Sequence, residues 1–232
     1  MYGYYGIDYT YIIFVLPAII ISLIAQMRVT STFGKYNKII NSRNMTGFQV
    51  ARRILDQNGL GNVVVEHVSG NLSDHYDPTS RILRLSDSVY SSSSVAALGV
   101  AAHECGHAIQ HAKGYVPLKA RHSVYPVVRF SSAASTPLII LGLIVNTPVL
   151  LYLGIILFSA VVVFQLITLP VEFNASSRAL AILKDNNFLD YDEVKSARKV
   201  LKAAALTYVA SALMSIMQLL RLLILAGNRR DR

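Results

Sequence analysis

His103-Glu104-Cys105-Gly106-His107 places two imidazoles and a carboxylate within five residues, and a further carboxylate, Glu172, follows a pair of membrane-length apolar stretches. On an α-helix, positions four apart lie on one face a turn apart, so His103 and His107 can direct their rings at one metal ion. A catalytic zinc takes three protein ligands and keeps a fourth position open for water, and the Glu inside such a motif serves as general base toward that water. Two histidines are one ligand short. Glu172 is the candidate third ligand, Glu104 the candidate base, and one Zn2+ per chain the implied cofactor.

Average residue usage produces this pentapeptide pattern by chance in a chain of such length on the order of once in a hundred, and the context lowers that figure. Ser91 to Ser94 offers N-cap hydroxyls, and a run rich in Ala, Leu and Val continues from Val95 to Lys113 and Gly114, a helix stop. The motif therefore falls inside a predicted helix. Cys105 points away from the ligand positions and reads as a packing residue. It is the single cysteine, so no intramolecular disulfide can form, in keeping with a cytoplasmic site. His111 continues the same face, but its Cα lies about 12 Å along the axis from that of His103, too far to share one ion. His67 and His122 read as ordinary surface or core histidines.

The elements that must position these residues are membrane helices. Of 232 residues, 53% are hydrophobic and only 15% charged, with a positive mean hydropathy, which is too apolar for a soluble domain. Residues 11–27 form an uncharged run, preceded by a stretch without Lys or Arg, and read as an uncleaved anchor rather than a signal peptide. Residues 130–169 read as a transmembrane hairpin, Phe130 to Val145 and Val149 to Leu169, turning at Asn146-Thr147-Pro148. Two crossings return the chain to the side it left, so Glu172 emerges on the side of the His103 helix. The competing reading of Glu172 is a solvated carboxylate at a helix start after Pro170. Residues 206–226 carry a polar stripe of Ser211, Ser215, Gln218 and Arg221, and read as membrane-spanning or interfacial, with Arg229, Arg230 and Arg232 beyond them resisting translocation.

Basic residues near span ends stay in the cytoplasm. None precedes Met27, whereas Arg28, Lys35, Lys38 and Arg43 follow it, and Arg178, Lys184, Lys195, Arg198, Lys199 and Lys202 follow the hairpin. This predicts an extracytoplasmic N-terminus at 1–10, a cytoplasmic catalytic region at 28–129, and cytoplasmic helices at 170–205 carrying the third ligand. The net charge of +9 follows the membrane boundary without an aromatic-basic platform, so the partner is the lipid bilayer and not nucleic acid.

Within 28–129 the pattern predicts a small α+β region: a helix around Thr46 to Gln57, a strand at Asn62 to Val68, a turn at Asp77-Pro78-Thr79 and a half-buried strand at Arg81 to Leu85. Asn71 to Asp77, or the strand after it, is the candidate edge on which an extended peptide substrate would add as a strand. His75 is a candidate extra ligand or transition-state donor. Turn chemistry accounts equally well for Asp74 and Asp77. No tyrosine is assignable as an oxyanion donor.

Leu72 to His111, with Ser-Asp-His-Tyr-Asp-Pro, Leu-Arg-Leu-Ser-Asp-Ser-Val-Tyr and Ala-Ala-His-Glu-Cys-Gly-His-Ala-Ile-Gln, together with Pro-Val-Glu-Phe-Asn-Ala-Ser-Ser-Arg-Ala-Leu at 170–180, resembles the YugP-type membrane zinc metallopeptidases of bacteria. The likeness covers most of the chain. More distantly the arrangement is similar to the HtpX and prenyl-protein protease group, which also places its Glu ligand after a membrane hairpin. The resemblance implies a mainly α membrane protein with three or four transmembrane helices and a small α+β zincin-like catalytic region. It also implies a gluzincin-like site with His103, His107 and Glu172 on zinc and Glu104 as base. One departure stands out. The distant group has an Asp four residues after its Glu ligand, orienting a histidine, and this chain has Ser176 there, a weaker acceptor. Asn174 or Arg178 would share that task.

The expected activity is a multi-pass cell-membrane metalloendopeptidase acting on a peptide or protein substrate. The alternative is a non-catalytic scaffold or chaperone-like adaptor with a structural metal, for which an intact Glu104 would be superfluous. A transporter is disfavoured because Arg221 is the one clear ionisable residue inside the apolar segments. Nothing in the sequence ranks substrates or sets an oligomeric state.

Overall fold

The computed structural model describes residues 9–230, without the side chains of 228–230. The first eight residues of the expected extracytoplasmic terminus, and Arg232, lie outside the described residues. A π-helical turn at Tyr11–Val15 runs into α1 (Leu16–Tyr36), and α2 (Gly47–Gln57) follows. Then come β1 (Val64–Val68), β2 (His75–Asp77) and β3 (Ile82–Ser86), and finally α3 (Val95–Ala112), α4 (Val116–Ile144), α5 (Pro148–Asp185) and α6 (Tyr191–Arg230). The protein is mainly α, and four of its helices are long and apolar enough to cross a membrane: residues 11–36, α4, α5 and α6 through Gly227.

Local chemistry sets the boundaries of the small elements. Thr46 accepts from Gln49 N while the Gln49 side chain accepts from Thr46 N, a reciprocal cap that starts α2. Ser94 Oγ accepts from Ala97 N and donates to Asn37 Oδ1 at 2.6 Å, starting α3 and tying it to the end of α1. Gly114, at φ +61°, ends it in a conformation that costs glycine nothing. The sheet has the order β1-β3-β2, with β1 and β3 parallel and β2 antiparallel to β3 (His75 opposite Arg84, Asp77 opposite Ile82). β2 is consequently an edge.

The long helices outrun the apolar segments that announce them. α4 begins at Val116, fourteen residues before Phe130, and α5 passes through Pro170 without a break to Asp185. Proline removes one backbone donor and crowds the preceding turn. Packing offsets this, because Val171, Ala175 and Ala179 just beyond it are fully buried in contact with the α3 side of the core. The residues after 170 are thus a rigid extension of the second hairpin helix rather than a new helix start. α6 likewise continues from Tyr191 through the apolar 206–226, packed against α1 and α5, and the Arg221 guanidinium stands 5.3 Å from the Tyr11 ring. The segment is a continuous helix packed within the bundle, and it is long and apolar enough to cross a membrane.

One hydrophobic core joins α2, the sheet, α3 and the ends of α5 and α6 that extend beyond their apolar runs; a second binds α4, α5 and α6 around Ile139, Leu151, Ile155, Leu222 and Ala226. Between them, α3 lies against α5 so closely that a Cβ on Gly106 would meet the Ala175 carbonyl oxygen at 2.8 Å. The glycine of the His-Glu-Cys-Gly-His motif is what lets the two helices touch there.

Candidate metal centre and cavity

The close contact of α3 with α5 brings His103, His107 and Glu172 together. His103 Nε2 and His107 Nε2 stand 3.2 Å apart, and Glu172 Oε2 lies 3.3 Å from the first and 3.5 Å from the second. Three ligands at about 2.0–2.1 Å from a tetrahedral zinc stand about 3.3 Å from one another. The triangle therefore has the edge lengths that zinc requires.

Protons corroborate this. Gln110, fully buried, donates through Nε2 to Val171 O at 2.8 Å and to Asn174 Oδ1 at 3.0 Å, so its Oε1 faces His107 Nδ1 at 3.1 Å as an acceptor. Nδ1 must then carry the His107 proton, leaving Nε2 a bare lone pair. Ser176 Oγ, 3.1 Å from His103 Nδ1, can accept in the same way. Among the described residues no N–H or O–H outside the two facing histidines reaches the buried Glu172 Oε2, whereas Oε1 is held by Arg121 Nη1 at 3.2 Å. Two ring lone pairs and one carboxylate oxygen converge with nothing of their own to share, and such a set suits a cation. Without one, protons compete for the place. Burial alone would lower the pKa of His107, but its bond to Glu172 and the charges of Glu104 and Glu172 together raise it above the ordinary histidine value.

The remaining candidates fall into place around this cluster. Arg178 Nε donates at 2.7 Å to Asn174 Oδ1, so Arg178, Asn174 and Gln110 form a chain that ends on His107. Ser176 faces the other histidine. Glu104, 8% exposed, lines a cavity of about 620 Å³ with His107 and Glu172. His75 lies on the rim of that cavity, outside the metal cluster; its ring nitrogens face Ser73 O and the Arg84 guanidinium. Asp77 caps its turn through Thr79 N and Ser80, bonds that hold its carboxyl below the ordinary range. Asp74 receives Ser86 N and Oγ at 2.7 and 2.9 Å; burial pushes its pKa up, the Ser86 bonds oppose this, and the Glu104 charge adds to the rise. Cys105 is fully buried in the core, and burial pushes its thiol up, away from reactivity.

Three site residues escaped the sequence reading. Arg121 and Tyr208 come from the charged and polar margins of helices whose apolar parts dominate their pattern, and both line the cavity. Gln110 lies one turn past His107 on a helix already crowded with motif residues. His111, read as outside the metal site, bonds through Nδ1 with Tyr76 Oη at 2.9 Å and faces His122 across 6.4 Å on the cavity wall.

The fold is mainly α and membrane-type, and its His103, His107 and Glu172 form a group able to hold a metal ion. The chain belongs to the family described as "Putative neutral zinc metallopeptidase", whose model matches residues 11–227. It is 51% identical over 221 residues to the "Putative membrane protease YugP" of Bacillus subtilis (strain 168), covering 95% of this chain and 98% of that one. No solved structure matches it.

Proposed function

We propose that the protein is a membrane-embedded, zinc-dependent metalloendopeptidase whose site opens on the cytoplasmic side. The observation that carries this reading is the 3.2–3.5 Å triangle of His103 Nε2, His107 Nε2 and Glu172 Oε2, set beside Glu104 at the wall of a cavity. Zinc held there would acidify a water and polarise the scissile carbonyl. Glu104 takes the proton of the attacking water and later delivers it to the departing amine. Arg121 occupies Glu172 Oε1 and so presents Oε2 alone to the metal. Tyr208, on the same cavity wall beside Glu172, offers an O–H donor for the carbonyl oxygen as negative charge develops on it.

The edge strand β2 fits the substrate role. Asp74, His75 and Tyr76 line the cavity, and among the described residues β2 is hydrogen-bonded to β3 on one side only, so an extended peptide can pair with its other side. The orientation rests on the basic residues at 28–43 and 178–202.

Zinc per chain in detergent-purified protein tests the site. About one zinc is expected in the wild type and in Glu104→Gln, and close to none in Glu172→Ala and His107→Ala. A peptide-library digest should then show cleavage by the wild type and none by Glu104→Gln. Cleavage by that variant would refute the base assignment, and zinc retained without Glu172 would refute the ligand set.

A further inference from the structure

α1, α5 and α6 line an open groove, of about 970 Å³, that shares no residue with the first cavity. Arg28, Lys35, Arg198, Lys199 and Lys202 line it, and no acidic side chain does. Among the described residues, none of these five cations is ion-paired with a carboxylate. Two of them converge on one aromatic ring: the Lys35 and Lys199 ammonium groups stand 5.6 and 5.8 Å from the centre of the buried Tyr36 ring. All five side chains are exposed, so solvent screens their mutual repulsion, and the field they share along one groove still favours an anion there.

The rest of the wall says what kind of anion. Phe173, Leu206 and Val209 line the same groove, each between 39% and 47% exposed. Leu206 and Val209 follow Lys202 on α6, where that helix turns apolar, and Arg28 on α1 follows the exposed Leu23, Ile24 and Met27. The groove therefore crosses from the basic ends of the helices into their membrane-facing surface. A small soluble anion would answer the charge and leave the apolar wall uncovered, whereas a lipid covers both.

We propose that this groove is a binding site for one anionic glycerophospholipid, with its phosphate among Lys35, Lys199 and Lys202 and an acyl chain along Phe173, Leu206 and Val209. The site adjoins the metal cluster from behind, because Ser176, the partner of His103 Nδ1, also lines it. It depends on the membrane fold and not on peptidase activity.

The test is native mass spectrometry of the full chain in detergent, titrated with phosphatidylglycerol or phosphatidylcholine. Saturable binding of one phosphatidylglycerol, preferred over phosphatidylcholine, is expected. Lys199→Ala/Lys202→Ala should weaken it about thirtyfold, at roughly fivefold per lysine. Lys38→Ala/Lys184→Ala, which removes the same charge from exposed positions outside the groove, should leave it unchanged. Leu206→Gln/Val209→Gln should weaken lipid binding while keeping every cation, which separates the site from a general charge effect. Equal weakening by the two lysine pairs would overturn the proposal, as would equal binding of phosphatidylcholine. Displacement of the lipid by glycerophosphate at matching concentration would show a free-anion site instead, and would overturn it too.

Discussion

Gln110→Met removes the amide that orients His107 while nearly preserving side-chain volume, so it probes hydrogen bonding without opening a cavity. Gln110 bonds to Val171 O, Asn174 Oδ1 and His107 Nδ1 at 2.8, 3.0 and 3.1 Å, and methionine can replace none of these. Val171 O keeps its place in α5 and Asn174 keeps Arg178, so most of the damage falls on the His107 N–H. An unbonded donor in a ring only 13% exposed costs about 1–3 kcal/mol. The proton is then free to move to Nε2, the atom that faces the cluster. Zinc polarises the ring and strengthens its N–H as a donor, so the loss weighs more on the bound state than on the free one. Supports of this kind are worth about 10–100-fold in metal affinity, or about 1.4–2.7 kcal/mol. Competition of the solubilised protein against a chromophoric zinc chelator measures the affinity, and a melting scan of the metal-free protein measures the fold separately. Zinc affinity within about threefold of wild type, in a folded variant, would refute the idea that Gln110 fixes the tautomer of His107.

Tyr208→Phe should keep its zinc and its KM while kcat falls about 10²–10³-fold, the usual cost of one oxyanion donor; an unchanged kcat would remove Tyr208 from the chemistry. Gly106→Ala gains about 1 kcal/mol of helix propensity but places a methyl group 2.8 Å from the Ala175 carbonyl oxygen, an overpacking cost of about 1–3 kcal/mol. The expected result is a lower melting midpoint and weaker zinc binding as α5 is pushed away, and a more stable variant would contradict the close contact. In the metal-free protein the raised His107 pKa contributes stability that is fully present below about pH 6.5 and is lost as pH rises through its higher folded value. Melting midpoints of chelator-treated protein should therefore fall with rising pH across that window and zinc affinity should rise, whereas His107→Gln should flatten the first trend.

Much of this was legible because the signals were local. The spacing of His103 and His107, the Ser94 cap, the Gly114 stop and the β1 and β3 segments each depend on residues within a few positions of one another. Glu172 was reachable only through a topological argument, two crossings and a return, and the structure adds the distance that parity alone lacks. Pro170 misled in the other direction. Its local cost suggests a helix boundary, and the burial of Val171, Ala175 and Ala179 against α3 overrides it.

The sequence by itself determined the groups on offer: a two-histidine helix with a carboxylate beside them, an apolar hairpin and a basic side. Those are properties of residue type and period. Tertiary structure alone decided that Gln110 sets one tautomer, that Arg121 reaches Glu172 across 51 residues and that Tyr208 shares their cavity. It also decided that five cations on α1 and α6 face one groove. The physical reason is the same throughout. A hydrogen bond or an ion pair is set by distances of about 3 Å in space, and no periodicity along a chain encodes which distant side chains will meet once helices pack.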